Sequence, residues 1–387
     1  MPIIDNAIDV ADAKKQRRIT AVYFFLSGIL TASWSSRIPD VQQRLGLNDG
    51  AWGSVLFFLP VGLVLGLLLS SWLVARFGTS RVKVIAFFVS CFLLCMLGLA
   101  SGAMQLMATL FLFGAVRTIL NIAMNTQSVA VQKLYTRPIV STFHGLWSLA
   151  CFASAAFGTL MIVNNVAPLW HFLIVAAACC AVAVLTWKTI DFKSHIKPEQ
   201  RPFLVMPDRY LFVLGLIAFC GMLCESTMFD WSVNYFEKIV QTDKALVTIG
   251  YTSFIIAMAA GRLLGDRLVA RFGPVNLLIA NGLIMATGFA LAALFPFLLP
   301  AAFGFLLIGL GDSVIVPILY TLSARTTKMQ PGYAIASVTL IGYVGFITGP
   351  LLVGFISEAW GMQWSLAVVG SISLAIPFLT LYVKRFL

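Results

Sequence analysis

Five ionisable residues, Arg117, His144, Glu225, Asp230 and Asp312, fall inside long apolar stretches of this 387-residue chain. A charge held in hydrocarbon costs about 2.5–3.5 kcal/mol on insertion scales, so each needs a partner or a use. Three uses are open to them: carrying a proton, pairing with one another, and holding a polar or charged solute. Glu225 is the candidate proton carrier. It is equally a candidate for permanent pairing with Arg117 or His144. Asp230 follows five residues later, about 140° round a helix and roughly 7.5 Å along it, so the two acids do not form a close dyad. Asp230, with Trp231 beside it, reads as a capping or pairing acid toward the aqueous end of the span. His144 can relay protons or bridge spans as a neutral hydrogen-bond partner. These three acids and bases are the proton-coupling candidates.

Arg117, Asn121, Asn125, Ser128 and Gln132 share one helical face, a polar stripe that suits a water-filled cavity. Ser27, Thr31 and Ser35 offer a matching face on the first span, with Trp34 beside it. Arg117 could clasp a carboxylate or phosphate. It could also neutralise Asp312, which stands 195 residues further on. The substrate-cavity candidates are therefore Arg117, Asn121, Asn125, Trp34, Trp147 and Asp312. No nucleophile or metal set accompanies them, and the seven cysteines all sit in apolar runs without His partners. Catalytic chemistry, a bound metal and a cofactor are thus not expected.

Such residues need a scaffold, and the composition names its solvent. Hydrophobic residues make up 60% of the chain and charged ones 11%, far from the soluble average of about 25% charged. Twelve stretches reach the roughly 20 residues that span a bilayer: 19–36, 51–72, 82–101, 106–127, 139–163, 168–187, 210–236, 245–265, 275–295, 297–321, 332–356 and 362–383. The fold class expected is an all-α membrane bundle, not a barrel of short alternating strands. Most of the 26 basic residues, Arg76, Arg81, Lys83, Arg262, Arg267 and Arg271 among them, assign to one side of the membrane. By the positive-inside rule both termini are cytoplasmic. The net charge of +11 sits in short loops, so nucleic acid is not an expected partner. There is no G-x-x-x-x-G-K-[ST] loop, which argues against direct ATP hydrolysis.

LVARFG occurs twice, at 73–78 and again at 268–273. The same 195-residue offset carries Gly66 onto Gly261 and Gly114 onto Gly309. Tandem six-helix halves in the same orientation follow: a leader 1–18, a bundle 19–187, a basic linker 188–209 and a second bundle 210–387.

The run GRLLGDRLVARFG at 261–273 resembles the loop signature of the major facilitator superfamily. NIAMNTQ at 121–127, Arg137-Pro138, STFHGLWS at 141–148 and ESTMFDWS at 225–232 resemble its bacterial inner-membrane branch related to fucose permeases. The resemblance implies a secondary active transporter in which Gly265, Asp266, Arg267 and Arg271 lock helices at the cytoplasmic side. Ser71 stands where the first half would carry the signature acid. The expected function is movement of a small polar, sugar-like solute by alternating access, coupled to protons, with Na+ left open. The alternatives are export of amphipathic drugs or metabolites and transport of an organic anion held by Arg117. A monomer in the lipid bilayer is expected.

Overall fold

The structure is a computed structural model that describes residues 10–132, 134–135, 139–187, 207–323, 326 and 331–386. Hydrocarbon leaves a backbone no water to bond, so a spanning segment must satisfy its own N–H and C=O groups, as a helix does. The described spans are helical over most of their length. In chain order the helices are α1 (Val10–Ser36), the short α2 (Ile38–Arg44), α3 (Asp49–Leu56), α4 (Phe58–Phe77), α5 (Thr79–Leu99), α6 (Ala103–Gln132), α7 (Val140–Val163) and α8 (Pro168–Trp187). They continue as α9 (Arg209–Lys238), α10 (Ile249–Phe272), α11 (Pro274–Leu294), α12 (Leu298–Asp312), α13 (Ile315–Ser323), α14 (Pro331–Trp360), α15 (Met362–Ser373) and α16 (Ala375–Val383).

Pairs α3–α4, α12–α13 and α15–α16 are single spans with a local break. Among the described residues, eleven segments are long and apolar enough to cross a membrane, and Ile249–Gly265 of α10 is a shorter apolar one. Together they give the twelve spans expected from the sequence. Asn48 and Asp208 set the starts of α3 and α9, their side chains each accepting a backbone N–H, from Ala51 and Leu211, at 2.9 Å.

The internal repeat is visible as geometry. Gly78 and Gly273, which close the two LVARFG copies, have φ 82° and 78° and cap α4 and α10 in matching conformations that a side chain would strain. A Cβ on Gly114 would lie 2.2 Å from the Leu59 carbonyl oxygen; one on Gly309 would lie 2.1 Å from that of Phe254. Both members of the first contact map onto both members of the second by the same offset.

Two basic residues assigned to loops in the sequence lie inside the bundle. Lys83 is fully buried in α5, where its ammonium donates to Gln127 Oε1 and sits 4.2 Å over the Tyr23 ring. Arg262 lies within α10 and belongs to the site described below. Residues 1–9 of the leader, 188–206 of the linker, Lys133 and Arg137 lie outside the described residues. The second half of the leader is helical and continuous with α1.

Candidate functional site

The helices alternate in direction, so connections α4–α5, α6–α7 and α10–α11 lie at one end of the bundle, the arginine-rich end. The α1–α3, α7–α8, α9–α10 and α14–α15 connections lie at the other. There a polar clasp joins the first eight helices to the last eight. Lys238 of α9 donates to Asp49 of α3 at 2.6 Å and to Gln42 Oε1 at 3.2 Å. Ser357 donates to the other Asp49 oxygen at 2.5 Å, and Glu358 accepts from Asn48 and from the Asp49 backbone N–H at 3.0 and 3.1 Å. Gln42 also bonds Asn234, Gln43 donates to Glu237 at 2.9 Å, Lys244 to Asn165 at 2.8 Å, and the Thr159 and Thr248 hydroxyls meet at 2.5 Å. Under these bonds α3 and α14 touch through their backbones: a Cβ on Gly53 would stand 2.4 Å from the Pro350 carbonyl oxygen.

A crevice of about 320 Å³ runs beside the clasp, lined in part by Arg37, Asp40, Asn165 and Lys244. Burial pushes the Asp40 carboxyl up, against the pull of Arg37 at 3.1 Å and of Lys244 and Arg44. No solute-binding candidate lies there. The candidates lie deeper, on the far side of the clasp.

Lys238→Ala would leave Asp49 without its cation while keeping the α3–α14 crossing. In that variant a cysteine replacing the buried Ser35 is expected to label several-fold faster with a membrane-impermeant thiol reagent. Unchanged labelling would show that the clasp does not hold this end shut.

At mid-depth the first group of helices contributes a polar wall. Arg117 on α6 is half-buried and donates from Nη2 to Thr31 Oγ1 on α1 at 2.9 Å, while Thr31 in turn donates to the Ser27 carbonyl. The Asn125 side-chain amide bonds the Asn121 side chain and also its carbonyl, at 3.0 Å, with Asn121 exposed. The stripe ends there. Ser128 is buried, and Gln132 accepts the backbone N–H of Ile139 at 2.7 Å, helping to start α7. His144 stands edge-on to Phe24, centroids 5.2 Å apart, and is half-buried, as is Trp147 one turn on.

The second group contributes charge. Arg262 on α10 donates from Nη2 to Glu225 Oε1 on α9 at 3.4 Å, with 34% and 15% of their side chains exposed. Its Nε donates to the Ser313 carbonyl at 3.4 Å. That carbonyl is free because Pro317, four residues on, has no N–H to give it, which is also why the span breaks between α12 and α13. Asp312, at the break, is buried and sits against α9, one carboxylate oxygen 3.7 Å from where a Cβ of Gly221 would be.

Several partnerships inferred from the sequence are therefore replaced. Arg117 does not neutralise Asp312; the acid in its electrostatic range is Asp230. Equal depth in two related halves is not contact, since a twofold-like axis sends equivalent positions to opposite walls. Glu225 is held by Arg262, not by Arg117 or His144. Asp230 is buried to 9% exposure, about two turns from the end of α9 that carries the clasp. Trp34 is 1% exposed, its Nε1 without a hydrogen-bond partner among the described residues, so it packs the interior instead of lining the cleft.

Of the locking cluster, Gly265 packs against Val314, and Arg267 and Arg271 are exposed, with the Arg271 guanidinium 5.4 Å over Phe272. The Asp266 side chain lies outside the described residues. Arg262 is the residue that sequence reasoning missed. Its signal was available: it precedes the signature acid by a full turn, inside an otherwise apolar run.

Residues 19–330 and 214–385 match the family model described as Major Facilitator Superfamily. An uncharacterized MFS-type transporter of Yersinia pestis is 31% identical over 361 residues, covering 93% of this chain and 94% of that one. An uncharacterized transporter, y4wD, of Sinorhizobium fredii is 31% identical over 373 residues, with 95% and 98% covered. Among solved structures, nucleoside transporter NupG superposes with TM-score 0.76 at 14% identity, over 96% of this chain and 99% of that one. The E. coli fucose:proton symporter FucP superposes with TM-score 0.59 at 17% identity, over 95% and 98%.

Proposed function

The chain belongs to the Major Facilitator Superfamily, and from that premise we propose that it is a proton-coupled secondary active transporter of a small polar, sugar-like solute. Membership makes it a multi-pass membrane transporter and not an enzyme. The proposed halves, 19–187 and 210–387, rock about a cleft at mid-depth, with both termini at the cytoplasmic face of the inner membrane. In this arrangement the clasp closes the outer end.

One observation carries the reading. A loose carboxylate–guanidinium pair, Glu225–Arg262, stands on one group of helices and a polar face of Arg117, Asn121 and Asn125 on the other, with Arg117 and Arg262 both in electrostatic range of Cys151 on α7. Side-chain amides and hydroxyls are the groups that hold a polyhydroxylated solute, and a partly hydrated intramembrane acid is the group that carries a proton. That fold neighbours carry a nucleoside and, with a proton, fucose supports the same class. The test is a thermal-shift panel of sugars, polyols, nucleosides, organic acids and amphipathic cations at two pH values. A ligand at 100 times its Kd adds about 2.7 kcal/mol to apparent stability. A sugar or polyol that stabilises more strongly at low pH is the expected result; a response to amphipathic cations alone would move the assignment to an exporter.

The organic-anion reading keeps a specific observation of its own. Among the described residues no carboxylate lies within 4 Å of Arg117, whose Nη2 bonds only a neutral hydroxyl. If an acid is the panel's hit, Arg117→Ala should weaken its binding by about ten- to a hundredfold, the equivalent of a lost charged hydrogen bond of roughly 1.5–3 kcal/mol. The same substitution should change the affinity of a neutral sugar far less, which isothermal titration would resolve.

A further inference from the structure

The break between α12 and α13 brings a second acid to the Glu225–Arg262 pair. Gly221 and Glu225 are one turn apart on the same face of α9, roughly 6 Å along the axis, and Asp312 lies against Gly221. Arg262 spans the gap from the other side, one nitrogen on Glu225 and another on the carbonyl of Ser313, the residue that follows Asp312. Glu225 takes one guanidinium nitrogen, and Asp312 lies within electrostatic range of both Glu225 and Arg262. The remaining titratable groups that face them are Cys224 of α9, Tyr320 of α13, Tyr343 of α14 and, beyond Arg262, His144 of α7. None of these is a second cation at neutral pH unless His144 binds a proton.

We propose that Glu225 and Asp312 form one proton-binding site, a single proton held between the two carboxyl groups while Arg262, the positioning residue, compensates the remaining negative charge. Two carboxylates and one cation leave an uncompensated buried charge, which one proton removes. Release sends that proton to water in the cleft and leaves two carboxylates against one guanidinium; reloading reverses it. This deepens the proton-coupled reading and rests on it.

The proton is the probe. Infrared difference spectra of the full-length protein in lipid vesicles, titrated with pH, report the carboxylic C=O stretch of any protonated buried acid. The wild type should show a carboxyl band that disappears as pH rises. Asp312→Asn and Glu225→Gln should each abolish this band at neutral pH, because the single acid left then pairs with Arg262 and ionises. Arg262→Gln should do the opposite and roughly double it, since two acids without a cation each keep a proton. Asp243→Asn, exposed and outside the cluster, should leave it unchanged.

A band that survives Asp312→Asn but not Glu225→Gln would place the proton on Glu225 alone and overturn the shared site. An unchanged band in Arg262→Gln would overturn it too, even if Asp312→Asn does not fold. A wild-type protein with no titrating carboxyl band would instead undo the proton-coupled reading itself.

Discussion

Glu225→Gln abolishes accumulation of solute driven by a pH gradient and spares solute exchange across the membrane. Glutamine keeps the length of the side chain and an oxygen for the Arg262 guanidinium, 3.4 Å away in the native protein. It cannot bind and release a proton, so the halves can reorient with solute aboard but nothing ties the direction of that movement to the pH gradient. Proteoliposomes loaded with the solute found in the binding panel separate the two activities. Gradient-driven uptake should fall to simple equilibration, and counterflow should continue at a rate near that of the wild type. Retained accumulation would remove Glu225 from the mechanism. Loss of both activities would point to a structural role for the ion pair, since a buried charge stripped of its partner destabilises by several kcal/mol.

The largest effect on stability is expected where α4 crosses α6. A Cβ on Gly62 would lie 1.9 Å from the Phe111 carbonyl oxygen, one on Gly66 2.2 Å from that of Ala115, and one on Gly114 2.2 Å from that of Leu59. In lipid, helices associate through close packing, and small residues four apart permit it. Gly62→Val sets a branched side chain against backbone, which has no rotamer to yield. The whole crossing must separate. Overpacking against side chains costs about 1–3 kcal/mol; here the loss should reach or exceed the upper end of that range. Thermal unfolding of the detergent-purified variant, compared with Gly102→Val, measures it. Gly102 has nothing within 4 Å of its would-be Cβ, so that control should unfold with the wild type.

Some of this was legible in the residues and some was not. Spans, the repeat and the polar face of α6 follow from periodicity and composition, which are local properties. The contact between Arg117 and Thr31 needed only two polar faces on spans that pack together. The clasp was hidden because its members, Asp49 with Lys238 or Asn48 with Glu358, are separated by roughly two hundred to three hundred positions and sit in connections without a period. Arg262 was hidden by its neighbours. Gly265, Asp266 and Arg267 read as a loop signature, which drew the arginine one turn away into the same loop, whereas the helix continues to Phe272. The Asp312 partnership depended on Pro317 freeing the carbonyl of Ser313. A proline's effect one turn upstream is a rule of backbone geometry, but which arginine answers it is decided only by packing.

The charge carried at mid-depth also decides where membrane voltage can act. Arg117 and Arg262 face three acids, Glu225, Asp230 and Asp312, so the deprotonated site is one negative charge in excess and the singly protonated site is neutral. A transmembrane potential works at about 2.3 kcal/mol per charge per 100 mV. With a neutral solute and a proton aboard, the inward movement on the proposed cycle is electrically silent. The unloaded return carries the negative charge outward, and a cell interior that is negative pushes it that way. Hyperpolarisation should then hasten the return of empty carriers and leave the loaded step untouched, so voltage would govern how often the protein cycles more than how tightly it holds its cargo.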